Sequence, residues 1–169
     1  MKSTMHVSKL VKLVGTAALA VTLPLAASSA QAQETTPYSV IVNSATDGAV
    51  RPDDALTLRE AIEVINGTLP VAELSTAERA RVTPATSPAI NFSLAGDTTI
   101  ALVELLPPIM AAGTLVDGAS QPGYGPLSST DTMATPVPTP IVTLTPAAGA
   151  EVPRGLPITA DDLTVRGLS

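Results

Sequence analysis

Adjacent carboxylates are the first candidates for chemistry in this chain, because two carboxyl groups can act as acid and nucleophile on a glycosidic bond. The chain has two such pairs, Asp53-Asp54 and Asp161-Asp162. On a strand, neighbouring side chains point to opposite faces, and at a turn Asp usually hydrogen-bonds to nearby backbone. We therefore predict no catalytic residue in either pair.

Three further residues each allow a structural and a functional interpretation. Asp117 precedes Gly118 and fits a turn better than a calcium site, because no D-x-D-x-D-G loop is present. Arg166 could act as the base of a lyase-type site, but a lone Arg is more typically one of a row of solvent-facing residues on a sheet. Tyr124 could stack on a sugar or anchor a loop tip. We expect the structural role for all three.

The first 32 residues predict export. Three lysines at positions 2, 9 and 12 precede an apolar run at 13–27, and Ala30 and Ala32 form the small-x-small pattern that a signal peptidase cleaves. The alternative is a membrane anchor, but the run contains Pro24 and is shorter than the about 20 residues that a bilayer needs. We predict a signal peptide at 1–32, a secreted or cell-surface protein, and no membrane span after cleavage.

Cleavage after Ala32 would remove the single His and every Lys, leaving six Arg against 15 acidic residues and a net charge of -9. Without His or Cys, the mature chain has no Ser-His-Asp triad, no Cys nucleophile, no His/Cys zinc site and no disulfide. The acidic charge argues against nucleic acid as a partner. We expect no cofactor, no metal and no catalysis in this segment.

The chemistry-bearing residues depend on a strand and a helix early in the mature chain. Residues 38–42 are strand formers. Leu58, Ile62 and Ile65 then recur at helical spacing, which predicts a helix over 57–66. Thr57 and Glu60 have the spacing of a capping box. The same spacing at positions 75 and 78 predicts a second, shorter helical turn.

The remainder of the chain, 89–169, consists of short β-branched runs separated by Gly and Pro. Two of these segments match at a constant offset of 49: the pattern at 108–118 returns at 157–167. Such self-similarity of strand, turn and Gly is typical of a solenoid. Residues 119–140, which hold five Pro, are then a loop that projects from one coil.

Residues 56–62 resemble the C-S-L-R-E-A-I segment near the start of bacterial exported right-handed parallel β-helix proteins, a group that includes adhesin-like and polymorphic outer-membrane-like proteins. The resemblance extends over about 40–125, with a weaker echo to Ser169. Leu56 stands where that motif has Cys. The residues of the structural motif are Thr57, Leu58, Arg59, Glu60, Ala61 and Ile62.

The resemblance implies an all-β fold, a right-handed parallel β-helix with a short N-terminal helical cap. The organisation is then a signal peptide at 1–32, an N-terminal strand and helical cap at 33–88, and the first coils at 89–169. A helix in this place would cover the open edge of the first coil. Two interpretations of Arg59 and Glu60 follow: Glu60 caps the helix while Arg59 pairs with a coil carboxylate or carbonyl, or both residues contact a ligand.

The implied function is an exported structural or adhesin-like surface protein. Its partners would be a cell-surface glycan or protein. The alternative is the first coils of a polysaccharide lyase or hydrolase, which needs charged groups clustered on one outward face; here they look scattered. A third alternative is a nonfunctional fragment. Because no cap follows the last run, we expect a longer parent protein and self-association through an open C-terminal edge.

Overall fold

A computed structural model describes residues 36–125 and 139–169, and every structural statement here refers to them. In this part of the chain the elements are seven strands and two α-helices. In chain order they are β1 (Tyr38–Val42), α1 (Leu58–Asn66), α2 (Thr76–Arg79), β2 (Val82–Pro84), β3 (Ala89–Phe92), β4 (Thr99–Leu102), β5 (Leu115–Asp117), β6 (Thr143–Pro146) and β7 (Thr164–Arg166).

Five strands form the larger sheet, in the order β2-β1-β3-β5-β7. Strand β2 pairs antiparallel with β1, and the other neighbours are parallel. Val40, Ile90 and Val116 lie opposite one another and are fully buried. Val165 continues this row on β7 but is 41% exposed. The buried row faces the core, and the residues on either side of it face the opposite way.

The smaller sheet consists of β4 and β6, which are parallel. Helix α1 packs against β1 and β3, so its apolar stripe belongs to the same core as the strands. Leu58, Ile62 and Ile65 are buried as their spacing predicts. Phe92, the only Phe in the chain, is also buried there.

The predicted fold class, an all-β right-handed parallel β-helix, is wrong. The described residues form a mixed α/β structure with two small sheets, one antiparallel strand pair and no closed solenoid. The strands have only three to five residues each. Helix α1 is a layer of the core and not a separate cap, because its buried face packs directly on two central strands.

The two similar segments found in the sequence lie side by side. Ile109 pairs in parallel with Ile158, and Val116 pairs with Val165. Gly118 and Gly167 meet so closely that a Cβ on Gly118 would overlap the carbonyl oxygen of Gly167. Gly167 also has φ +66°, a conformation that favours glycine. The offset of 49 is therefore the spacing of two paired segments.

Two predictions fall outside the described residues in whole or in part. The signal peptide at 1–32, with Ala30 and Ala32, lies outside them. So does 126–138 of the loop predicted at 119–140, while a short 3₁₀ turn occupies Gly118–Ser120 at its start. No helix in the described ranges has both the length and the apolar character needed to cross a bilayer.

Candidate functional site

The N-terminus of α1 is fixed by the capping box that its sequence predicts. The Thr57 hydroxyl oxygen accepts a hydrogen bond from the Glu60 amide at 3.2 Å, and Glu60 Oε2 accepts from the Thr57 amide at 2.9 Å. Glu60 is only 2% exposed, and its Oε1 also accepts from the Arg51 amide at 3.1 Å. Glu60 thus satisfies the helix end and holds the preceding loop.

Arg59 forms a bidentate ion pair with Asp47, a residue that the sequence analysis did not single out. Arg59 Nε donates to Asp47 Oδ1 and Nη2 to Oδ2, both at 2.9 Å. The two side chains are 7% and 2% exposed. A planar guanidinium matches a carboxylate in this geometry, so the pair is oriented as well as charged.

The ion pair extends to a third segment of the chain. Arg59 Nη1 donates to the Leu105 carbonyl at 3.0 Å and Nη2 to the Glu104 carbonyl at 3.2 Å, while the Val103 amide donates to Asp47 Oδ2 at 2.9 Å. We name this unit, formed by Asp47, Arg59 and the backbone of 103–105, the buried clamp. It joins the loop after β1, helix α1 and the segment after β4.

The electrostatics of the clamp lower the pKa of Asp47. Burial by itself raises that pKa, but the hydrogen bonds from Arg59 and from the Val103 amide, together with the positive charge of Arg59, outweigh it. Asp47 is therefore the ionised partner that the Arg59 guanidinium needs.

The second capping box holds the same loop from the other side. Glu78 is fully buried, and its two oxygens accept from the Ser75 amide at 2.6 Å and the Asp53 amide at 3.2 Å. Asp53 in turn accepts from the Ala55 amide at 2.7 Å, which is a local turn contact. Two buried glutamates thus anchor the loop at 51–53 through its backbone amides.

A polar cavity of about 270 Å³ is lined in part by this loop. It is lined by Asp47, Asp53 and Glu60 among other residues. Their carboxylates already accept the hydrogen bonds given above. Across the described ranges, no group of three or more His, Cys, Asp or Glu residues is arranged to hold a metal ion.

A second polar arrangement lies on the face of the larger sheet that points away from the core. Asn91, Asp117 and Arg166 lie directly opposite one another on β3, β5 and β7. Arg166 Nε and Nη2 donate to the two oxygens of Asp117 at 2.8 and 2.7 Å. We name these three residues the polar row.

The ion pair within the polar row shifts the pKa of both Asp117 and Arg166. The hydrogen bond from Arg166 lowers the pKa of Asp117; burial opposes this, and the Arg166 charge and the Ala119 and Ser120 amides add to the lowering. The hydrogen bond and charge of Asp117 raise the pKa of Arg166, and Tyr124 contributes in the same direction. Both groups are therefore charged at neutral pH.

The predicted motif residues are brought together by helix α1. Thr57, Arg59 and Glu60 make polar contacts with the chain itself, and Leu58, Ala61 and Ile62 are buried in the core. Arg59 pairs with both a carboxylate and carbonyl oxygens, as the structural interpretation of this residue expects. The alternative interpretation, in which Arg59 and Glu60 contact a ligand, has no support in this geometry, since each nitrogen of the Arg59 guanidinium donates a hydrogen bond within the chain and both residues are buried.

Two contacts were missed at the sequence level. Asp47 lies twelve residues before Arg59 in a loop, so no periodicity connects them. Asp117 makes the expected local bond to the Ala119 amide, but its pair with Arg166 was not predicted. A signal for this pair exists: the two residues occupy the same position of the offset-49 match and carry opposite charges.

The structure also describes the two adjacent carboxylate pairs and Tyr124. Asp53 takes part in the turn described above, and Asp54 is exposed. Asp161 and Asp162 are exposed, and the Asp161 carbonyl accepts from the Gly113 amide at 3.1 Å. Tyr124 is half-buried. Neither carboxylate pair lies within the buried clamp or the polar row.

Comparison of the chain with protein-family models, with curated proteins and with solved structures finds no match. The resemblance carried by residues 56–62 therefore stays a prediction.

Proposed function

We propose that this chain is an exported structural or adhesin-like protein of the cell surface. The observation that carries the proposal is the leader pattern at 1–32, in which lysines, an apolar run and the small residues Ala30 and Ala32 follow one another. The partner we propose is a cell-surface glycan or protein.

A non-catalytic role is supported by how the buried polar groups are used. Arg59 donates to a backbone carbonyl and to Asp47, while Glu60 and Glu78 accept from backbone amides, as a structural network requires. No specific observation favours the polysaccharide lyase or hydrolase alternative, because Asp53 serves a turn and Asp161 and Asp162 are exposed outside both polar sites.

Self-association is a second part of the proposal. Strand β7 lies at one edge of the larger sheet, and Val165 on it is 41% exposed although its row is otherwise buried. Ile158, which forms a parallel bridge with Ile109, is 44% exposed. A sheet edge with exposed apolar residues can pair with another chain.

Leader processing tests the export proposal. The full chain is produced in a bacterium with a general secretion pathway, and the N-terminus of the product is sequenced. We expect wild type to begin at Gln33, and Ala32→Phe to retain 1–32 because the peptidase needs a small residue there. Gln31→Phe is the matched control, since the middle position tolerates bulk. Retention of the leader by wild type, or equal processing of Ala32→Phe, would contradict export by this signal.

A further inference from the structure

Strand β7 is an edge of the larger sheet, and its pairing with β5 fixes the direction of its backbone groups. The Thr164 amide donates to the Thr114 carbonyl at 2.9 Å, so the backbone N–H and C=O of Thr164 point toward β5. Because these groups alternate in direction along a strand, those of Leu163 and Val165 point away from β5. Within the described ranges, no strand lies on that side of β7.

The opposite edge of the same sheet is protected against further pairing, whereas β7 is not. Strand β2 forms that edge and contains Pro84, which has no N–H to donate to a neighbouring strand. Strand β7 contains no Pro, and its central Val165 is 41% exposed. Since proline at an edge is one of the devices that prevent edge-to-edge contact, the difference singles out β7 as the edge to which another strand can add.

The core-facing side of the β7 edge is apolar and incompletely covered. Val116 on β5 is fully buried, while Val165, its neighbour on β7, is partly exposed. Leu163 also packs against the core and is only partly buried. A strand added beside β7 would cover both side chains and continue the buried row of the sheet.

The charges at the two ends of β7 have opposite signs. Asp161 and Asp162 precede the strand and are exposed, and Arg166 is its last residue, with a side chain that is 60% exposed. A second β7 in parallel register would place the two Arg166 side chains opposite each other, and like charges in this position destabilise a strand pair. An antiparallel copy places the acidic end of each strand beside Arg166 of the other. Strand β7 is thus self-complementary in the antiparallel orientation, as a two-fold interface requires.

One register satisfies the backbone, the apolar side chains and the charges together. With Thr164 opposite Thr164 of the second copy, the outward backbone groups of Val165 face those of Leu163, because hydrogen-bonded and non-hydrogen-bonded pairs alternate between antiparallel strands. Val165 and Leu163 share the core-facing side, so these two apolar side chains also lie opposite each other. In the same register, Arg166 of each copy lies beside Asp162 of the other.

We propose that two copies of this chain join through their β7 strands, antiparallel and centred on Thr164, so that their two five-stranded sheets become one. The inference rests on the self-association proposed above and specifies its strand, orientation and register. Because the same edge of each copy is used up when two copies meet, the assembly closes at a dimer.

Cysteine cross-linking of the purified protein tests the register, because the chain contains no Cys of its own. Residues opposite each other in a non-hydrogen-bonded pair have Cα atoms about 4.5 Å apart, which is within disulfide range. We expect Thr164→Cys to form a cross-linked dimer under mild oxidation, and mixed Leu163→Cys and Val165→Cys proteins to form the mixed dimer, both read by non-reducing electrophoresis. Val103→Cys, at an exposed Val outside β7, is the matched control and should stay monomeric on the gel.

Light scattering of the wild type separates failure of this arrangement from failure of self-association. A dimer in solution, with Thr164→Cys cross-linking about tenfold or more faster than Val103→Cys, supports the arrangement. Cross-linking of Arg166→Cys alone or Val165→Cys alone as fast as Thr164→Cys, no cross-linking by Thr164→Cys and by the mixture, or assembly beyond two copies would each overturn the arrangement while leaving self-association standing. A wild-type chain that is monomeric at every concentration would overturn both. The mixture keeps the test valid if Thr164→Cys fails to fold.

Discussion

Asp47 and Arg59 are the residues whose substitution we expect to cost the fold most. Asp47→Asn removes the charge that compensates a buried guanidinium, so the free energy of unfolding should fall by about 3–5 kcal/mol. Urea denaturation at neutral pH measures this. Asp54→Asn, at an exposed Asp of the same loop, should change the value by less than about 0.5 kcal/mol. Equal losses of unfolding free energy in the two variants would contradict the stabilising role of the buried clamp.

The lowered pKa values of Asp47 and Asp117 predict acid sensitivity. A carboxylate with a folded pKa below its unfolded value of about 3.9 stabilises the fold fully above that value, and its contribution is lost as the pH falls through the folded pKa. We expect the urea midpoint to decrease below about pH 4 and to vary little between pH 5 and 8, since residues 33–169 contain no His. In Asp47→Asn the decrease on acidification should be smaller. A midpoint that rises on acidification would contradict the assignment.

Gly118 and Gly167 should tolerate no side chain. Gly118→Ala forces a Cβ against the Gly167 carbonyl, and overpacking of this kind costs about 1–3 kcal/mol. Gly48→Ala is the control, because nothing lies within 4 Å of a Cβ there. Thermal unfolding of the three proteins measures the difference. If Gly118→Ala were as stable as Gly48→Ala, the close contact of the two paired segments would be wrong.

Residue roles were predictable where the partner lies within one turn of helix. Thr57 and Glu60 cap α1 as their spacing of three indicates. The partner of Arg59 was predictable only as a carboxylate or carbonyl, because Asp47 is brought to it by a loop. The pair of Asp117 and Arg166 required knowledge of which strands are neighbours, although the offset-49 match contained that information.

At the scale of elements, helix α1 depends on Glu60 for its own end and for the loop before it. Glu60→Ala leaves the amides of Thr57 and Arg51 without their acceptor, and an unsatisfied buried donor costs about 1–3 kcal/mol. Glu63→Ala, on the same helix, removes no such acceptor and should leave the free energy of unfolding nearly unchanged. Hydrogen exchange at α1 and at 51–53 should accelerate in Glu60→Ala alone. Acceleration in both variants, or in neither, would contradict the anchoring role.

Element positions follow from local patterns more fully than element pairing does. The helical period at 58–65 and the strand formers at 38–42 predict α1 and β1. Strand β2, the antiparallel partner of β1, was not predicted from the sequence. Both capping boxes were predictable, since each is contained within four residues.

At the scale of the molecule, the architecture was the part that the sequence predicted wrongly. A closed β-helix was favoured by the short strands, the repeat and the residues at 56–62. Closure, however, depends on where the loops place each strand, and loop sequences have no periodic pattern from which this can be predicted. The described strands divide into sheets of five and two, and α1 packs against β1 and β3 with its apolar residues in the core. The repeat therefore indicated one pair of neighbouring strands and not the fold class.

Self-association is also a property of the whole molecule. Val165→Lys places a charge at the edge of β7, so it should lower the molar mass seen by light scattering at high concentration. Val103→Lys, at another exposed Val, should leave the mass unchanged. A wild-type chain that stays monomeric across the concentration range would contradict the proposed edge contact.

The location of the folded part of the chain tests the central claim most directly. Intact and permeabilised producing cells are labelled with an antibody against the residues 36–125, and fluorescence is compared. We predict equal labelling of intact and permeabilised cells, or release of the protein into the medium, because an exported surface protein presents this part outside. Labelling only after permeabilisation, with none in the medium, would contradict the proposal that the chain acts at the cell surface.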